Sequence, residues 1–157
     1  MDLFCFASRN TRNIELGIEN KLWAVATLTN QQSMKARTTK AMKYLHPGAR
    51  GILYCNPTQS FTTPFVVRSN ADPDRVVTDV WPEAWCLPFE IEPLGDLSRQ
   101  VTREAAAQSW PVVQRRMAKN QGRGGISAAM NITGTTVFVP VDIDEENWGV
   151  ILDDLAT

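Results

Sequence analysis

Residues 8–24 read SRNTRNIELGIENKLWA, and they follow the apolar run LFCFA at residues 3–7. Continuous apolar and aromatic residues over a short run are typical of a buried strand. Asn10 or Thr11 can cap the helix that comes next, because a short polar side chain accepts a hydrogen bond from a free backbone N–H at a helix start. Residues 22–28 are again rich in strand formers. The segment therefore predicts a strand, a polar loop, a short helix and a second strand that opens on a tryptophan.

The rest of the chain alternates between strand-like and helix-like runs. Ser33 can cap a second helix, which His46-Pro47-Gly48 ends because proline and glycine cannot continue it. The predicted strands are 51–56, 61–69, 76–80, 87–94 and 135–139, with Pro88 and Pro93 restricting 87–94 to an edge or a bulge. A helical stretch over 101–120 is interrupted at Pro111, and Asp142 can cap a final helix. We expect a single α+β domain over 1–157, a small mixed β-barrel of about six strands with two or three packed helices.

Composition favours an ordinary globular protein. The chain has 157 residues, of which 43% are hydrophobic and 21% charged. No apolar run approaches the roughly 20 residues of a membrane span, and no secretory signal is visible, so we expect a cytoplasmic protein without a membrane partner. The cysteines at 5, 55 and 86 lie in apolar runs and are expected to be buried free thiols. His46 is the only histidine, which argues against most zinc sites and serine hydrolase triads.

Charge is segregated along the chain although its net value is only −1. No Asp or Glu occurs between Glu19 and Asp72, and a second basic stretch runs from Arg99 to Arg123. Such segregation can create a basic face that attracts nucleic-acid phosphates, and two solvated helix surfaces are the alternative. The cationic candidates for phosphate contacts are Lys35, Arg37, Lys40, Lys43, Arg115, Arg116, Lys119 and Arg123.

Five tryptophans are many for this length. Trp23, Trp81 and Trp85 lie at or beside predicted strands, where a nucleobase could reach them, whereas Trp110 and Trp148 lie on predicted helices and are expected in the core. Base–aromatic stacking is worth about 1–3 kcal/mol per base, enough to offset the cost of extruding a base from its stack.

The order of strand, polar Asn-bearing loop, helix and Trp over residues 3–25 resembles the start of the YTH and EVE domains of the PUA-like superfamily. The strand pair around 51–54 and 61–69 is similar to the pair in the middle of those domains. Residues 80–85, followed by 88–91, resemble the segment that supplies a second wall of their aromatic cage. The resemblance implies a PUA-like barrel that binds one flipped, modified base rather than an enzyme.

The resemblance also implies roles for individual residues. Trp23 would form one wall of the cage, and Trp81 or Trp85 the second, with Trp81 favoured. Asn13 would read the edge of the base, because an amide both donates and accepts hydrogen bonds. The predicted base-binding set is completed by Asn10, Ser8 and the backbone carbonyl of Ala24. Asn10 is also a candidate helix cap.

The ligand implied is a DNA strand, preferred over RNA, that carries 5-methylcytosine, 5-hydroxymethylcytosine or N6-methyladenine. A prokaryotic reader of this kind would be the targeting module of a modification-dependent restriction system, with a nuclease domain or subunit as partner. No cofactor and no metal are expected. Two alternatives remain: an RNA-binding PUA-like module without modified-base selectivity, and an ASCH-like amidohydrolase, which would need Lys21 and Glu83 to face one cavity.

Overall fold

The computed structural model describes residues 1–157 and has an α+β architecture with eight strands and six helices. The strands are β1 (Asp2–Ser8), β2 (Leu22–Ala26), β3 (Arg50–Cys55), β4 (Ser60–Val67), β5 (Val76–Val77), β6 (Trp85–Pro93), β7 (Val101–Thr102) and β8 (Val141–Asp142). The helices are α1 (Thr11–Asn20), α2 (Gln31–Tyr44), α3 (Arg103–Ser109), α4 (Pro111–Lys119), α5 (Gly125–Ala129) and α6 (Glu145–Leu155). No helix combines the length and the apolar character needed to cross a membrane.

All eight strands belong to one mixed sheet, which curls into a half-barrel. The order is β2-β6-β4-β3-β1-β8, with β5 on β6 and β7 on β4, and the only parallel pair is β1 with β3. The predicted fold class is confirmed. The structure has more helices than predicted because Pro111 begins α4 and separates it from α3, and because α5 follows.

The sheet separates two apolar cores of 22 and 18 buried residues. Side chains of β1 alternate between them, with Phe4 and Phe6 in the first core and Leu3 and Cys5 in the second. The first core contains buried residues of α1, α2, β2 and β6, and the second contains those of α3 to α6. The second includes Trp110 and Trp148, as predicted.

The three cysteines are free and buried, as predicted. Burial raises the pKa of Cys5 to about 12, because a thiolate is poorly solvated in an apolar core.

A bulge in β6 lies next to the first tryptophan of the chain. Trp23 pairs with Phe89 and Val25 with Cys86, so two residues of β6 lie opposite Ala24 alone. Leu87 has a φ of 56° there, and Pro88, which has no N–H to donate, occupies the bulge. The predicted choice between an edge and a bulge for this proline is thus decided in favour of the bulge.

Local predictions of the helix starts were only partly right. Asn10 caps α1, its Oδ1 accepting from the backbone N of residue 13 at 2.8 Å. Ser33 does not cap α2. Asn30 does, and Ser33 is the residue whose N–H it binds, at 2.9 Å. Asp144, not Asp142, caps α6, since Asp142 pairs with β1 as part of β8.

The strand predicted over 135–139 is absent. Gly134 has a φ of 78° and begins a 3-10 turn over Gly134–Thr136, and the N–H of Val139 donates to Thr136 O at 2.8 Å. A positive φ is tolerated by glycine and turns the chain away from an extended course. Phe138 is fully buried and packs against Phe6 with ring centroids 5.4 Å apart, so residues 132–138 form a strap anchored on the first core.

Candidate functional site

Three tryptophans from two parts of the chain meet in the first core. The Trp23 ring meets Trp81 and Trp85 edge to face, at centroid distances of 5.8 and 5.6 Å, and Trp81 stacks on Trp85 at 4.6 Å. Their exposed fractions are only 1%, 3% and 9%. Gly17 permits this packing, because a Cβ there would lie 2.8 Å from Cε3 of Trp23.

A pocket of about 310 Å³ opens beside this cluster. It lies within the size range of small-molecule sites, which is about 300–1,000 Å³. Its walls come from the end of β1 and the loop after it (residues 6–10 and 13), β2 (23–26), Arg37, Glu83, Trp85, and strap residues 132–134 and 137. Six of the seven residues predicted to bind a base line this one pocket: Ser8, Asn10, Asn13, Trp23, Ala24 and Trp85.

Trp81, the seventh, does not line the pocket. It stacks on Trp85 with an angle of 27° between the ring planes, and its Nε1 donates to the backbone O of Asn13 at 3.0 Å. Trp81 therefore links the β6 side of the cluster to the first turn of α1. Of the two candidates for the second cage wall, Trp85 lines the pocket, whereas Trp81, the favoured candidate, does not.

Two buried polar atoms on the pocket-lining residues have no hydrogen-bond partner: Oδ1 of Asn13, an acceptor, and Nε1 of Trp85, a donor. Leaving such an atom unpaired costs about 1–3 kcal/mol. A ligand that offers a donor to the first and an acceptor to the second would remove that cost.

Ser8 and Asn10 hold the loop that carries Asn13. The Ser8 hydroxyl donates to the backbone O of Asn10 at 2.7 Å and accepts from its N–H at 3.3 Å. Asn10 Oδ1 is occupied as the cap of α1. Both side chains thus shape the loop, and only the amide nitrogen of Asn10 lacks a bond within it.

One of the four basic residues of α2, Arg37, lines the pocket, and this helix contains no acid. Arg37 is half-buried and donates to Ala26 O at 3.1 Å. It takes part in no ion pair. Partial burial lowers the pKa of Arg37 from its ordinary value, although a guanidinium stays charged at neutral pH. Lys40 donates to Thr135 O on the strap, and Lys35 and Lys43 are exposed.

The basic residues of α4 and the loop after it do not line this pocket. Arg115 and Arg116 donate to the backbone carbonyls of Asp142 and Ala129. Lys119 is exposed, and Arg123 donates to its neighbour Gln121. Of the eight cations predicted to bind phosphate, the structure therefore places Arg37 alone in the pocket lining.

Sequence reasoning missed the strap as a pocket wall. Ile132 and Val137 contribute apolar residues to the lining. The run Asn131-Ile-Thr-Gly-Thr-Thr136 is rich in turn formers, and that signal could have argued against a strand there.

Residues proposed for enzyme chemistry do not converge. Lys21 lines a different pocket, where it pairs with Glu92 at 3.8 Å, whereas Glu83 lines the pocket at Trp85. The structure has no group of three or more His, Cys, Asp or Glu side chains that could hold a metal ion.

No protein-family model and no curated protein match this sequence. Solved structures do match. The YTH domain of the Zygosaccharomyces rouxii MRB1 protein, solved in complex with N6-methyladenosine RNA, is 18% identical with a TM-score of 0.55, over 97% of this chain and 84% of its own. The Pho92 YTH domain in complex with m6A is 16% identical with a TM-score of 0.55, and the match covers 99% of this chain and 84% of that domain's chain. Rpa0253 from Rhodopseudomonas palustris is 15% identical with a TM-score of 0.52, and the match covers 98% of this chain and 92% of the Rpa0253 chain. These likenesses show that the chain shares the fold of YTH domains.

Proposed function

We propose that this chain binds nucleic acid by taking one modified base, flipped out of its strand, into the pocket lined by Trp23, Trp85 and Asn13. The observation that carries the proposal is that the residues lining one pocket include two indoles and carry a buried acceptor and a buried donor that lack partners. The shared fold with YTH domains agrees with it.

The base enters beside the indoles and not between them. Carbon atoms in contact lie about 3.5–4.0 Å apart, so a base held between two parallel rings needs a ring spacing of about 7 Å. The three indole pairs are 4.6 to 5.8 Å apart. In this proposal the ligand contacts Trp23 and Trp85 and the apolar strap residues Ile132 and Val137, which all line the pocket.

The polar atoms favour a base that offers both a donor, for Asn13 Oδ1, and an acceptor, for Trp85 Nε1. Adenine offers an exocyclic N–H beside a ring nitrogen, and cytosine offers an amine in the same way. N6-methyladenine keeps one N–H for Asn13 Oδ1 and adds a methyl group for the apolar wall. N6-methyladenine is therefore our first candidate, and 5-methylcytosine and 5-hydroxymethylcytosine are its competitors.

We infer that α2 rather than α4 supplies the phosphate contacts. Arg37 of this helix lines the pocket, and the helix contains no acid, whereas no cation of α4 lines the pocket. Removing an α2 charge should weaken all strands alike, because phosphate contacts carry no base information.

The test is a binding panel measured by fluorescence anisotropy at two salt concentrations. RNA and DNA strands of one sequence carry adenine, N6-methyladenine, cytosine, 5-methylcytosine or 5-hydroxymethylcytosine at one position. Each apolar carbon buried adds about 0.8 kcal/mol, or roughly fourfold in affinity, so we expect at least that preference for one modified base.

The panel also separates the remaining alternatives. The Zygosaccharomyces rouxii domain was solved with RNA, whereas the sequence prediction names DNA and a restriction system, so each strand type is an arm of the test. Equal affinity for modified and unmodified RNA would instead favour an RNA-binding module without base selectivity.

A further inference from the structure

A second pocket, of about 510 Å³, lies beside the base pocket. It is enclosed by the amino-terminal half of α2, the residues that precede α2, and the strap. The two pockets share three lining residues, Arg37, Gly134 and Val137. They are therefore neighbouring parts of one concave surface.

The second pocket has an apolar interior with a cationic border. Its apolar surface comes from Leu28, Ala36, Val137 and Phe138. Arg37 and Lys40 are the only charged residues in its lining, and the other polar residues there are uncharged. An apolar slot beside positive charge fits a planar base joined to a phosphate, because the base gains by stacking and the phosphate by charge pairing.

Arg37 stands where the two pockets meet. It is half-buried, no carboxylate pairs with it, and one of its nitrogens donates to Ala26 O. A guanidinium carries five N–H donors, so donors remain for a ligand. A group that lies at Arg37 touches both pockets at once.

We propose that the second pocket takes the base of the nucleotide next to the modified one, with the phosphate that joins the two nucleotides at Arg37. This inference rests on the proposed function and makes it more specific: the unit recognised is a dinucleotide, and the identity of the neighbouring base contributes to selectivity.

The variant that tests this proposal is Ala36→Trp. Ala36 is exposed, lies on α2 and lines the second pocket but not the first, so a large ring there fills the second pocket alone. The matched control is Met42→Trp, which adds the same ring to the same helix at an exposed position outside both pockets. Circular dichroism and thermal melting check the fold of both variants, and Ala36→Leu provides a smaller filling group.

The ligands are three short probes with the preferred modified base: the single nucleoside, a dinucleotide, and the same dinucleotide with an abasic neighbour that retains the phosphate. In wild type we expect the neighbouring base to raise affinity by about 5- to 150-fold over the abasic probe, the range that stacking provides. Ala36→Trp should abolish that gain and leave nucleoside binding unchanged, while Met42→Trp should retain both.

Two outcomes would overturn the proposal without touching the proposed function. Wild type binding the abasic and complete dinucleotides equally would mean that no base enters the second pocket. An undiminished gain in folded Ala36→Trp would place the neighbouring base elsewhere. Failure of wild type to prefer any modified nucleoside or strand over its unmodified form would refute the proposed function and this inference with it.

Discussion

Replacing Asn13 with alanine should change stability and selectivity in opposite directions. Its Oδ1 is buried without a partner, although the residue as a whole is half-buried. Its backbone N–H binds Asn10, its backbone O accepts from Trp81, and both bonds survive the substitution. Asn13→Ala thus removes an unpaired atom and no internal hydrogen bond.

The expected gain in stability follows from two terms. Loss of an unpaired buried acceptor relieves about 1 kcal/mol, the lower end of the usual 1–3 kcal/mol because the side chain is only half-buried. Alanine exceeds asparagine in helix propensity by up to about 0.7 kcal/mol. The free energy of unfolding should rise by about 1–2 kcal/mol, and Tm by about 2–8 °C in a chain of this size.

The expected loss is in base selectivity. If Asn13 Oδ1 accepts the exocyclic N–H of the base, its removal leaves that donor unpaired at a cost of about 1–3 kcal/mol. The affinity ratio of preferred to other bases should fall by about 5- to 150-fold. The salt dependence should not change, because no phosphate contact is lost.

Asn10→Ala is the matched control, three residues earlier. It removes the cap of α1 and should destabilise the protein by about 0.5–2 kcal/mol, while lowering the affinity of all strands to the same extent. Chemical denaturation and the oligonucleotide panel measure both effects. The reasoning is refuted if Asn13→Ala behaves like Asn10→Ala, with lower stability and an unchanged ratio between bases.

Three further substitutions test other parts of the site. Trp81→Phe keeps an aromatic ring but loses the hydrogen bond to the first turn of α1, so we expect a loss of about 0.5–1.5 kcal/mol in stability and a smaller preference for the modified base. Unchanged selectivity would show that this bond does not position the loop. Gly17→Ala should destabilise the fold in denaturant titrations and weaken modified-base binding, because overpacking against Trp23 costs about 1–3 kcal/mol and the gain in helix propensity is only about 1 kcal/mol. A more stable variant with normal binding would contradict this. Lys35→Ala should reduce the slope of log affinity against log salt concentration by about 0.7 on single strands, while Lys119→Ala leaves that slope unchanged. The reverse result would show that α4 makes the phosphate contacts.

Features governed by neighbouring residues could be predicted from the sequence. The sequence predicts a cap at Asn10 or Thr11, a break at Pro111 and an edge or a bulge at Pro88, and the structure has one of the predicted alternatives at each place. Each depends on a backbone bond made or lost within a few residues, so no distant contact is needed to anticipate it. The caps predicted at Ser33 and Asp142 were wrong.

Features governed by distant packing could not. A shift of one residue in strand pairing exchanges the faces on which side chains lie, so the β2–β6 register, which pairs Trp85 with Ala26, decides that Trp85 lines the pocket. The strap at 132–138 becomes a wall because Phe138 packs in a core made by residues far away in sequence.

The sequence by itself determined the α+β class and the β1–α1–β2 unit, because apolar periodicity and helix caps act over short distances. The resemblance to YTH and EVE domains, and not periodicity, implied the residues of which six line one pocket. Only the tertiary structure decided which basic residues lie at that pocket, and which polar atoms on its lining residues lack a partner. Whether a hydrogen bond is satisfied depends on every group that surrounds it after folding. The free Oδ1 of Asn13 and the free Nε1 of Trp85, on which the proposed function depends, are of this kind.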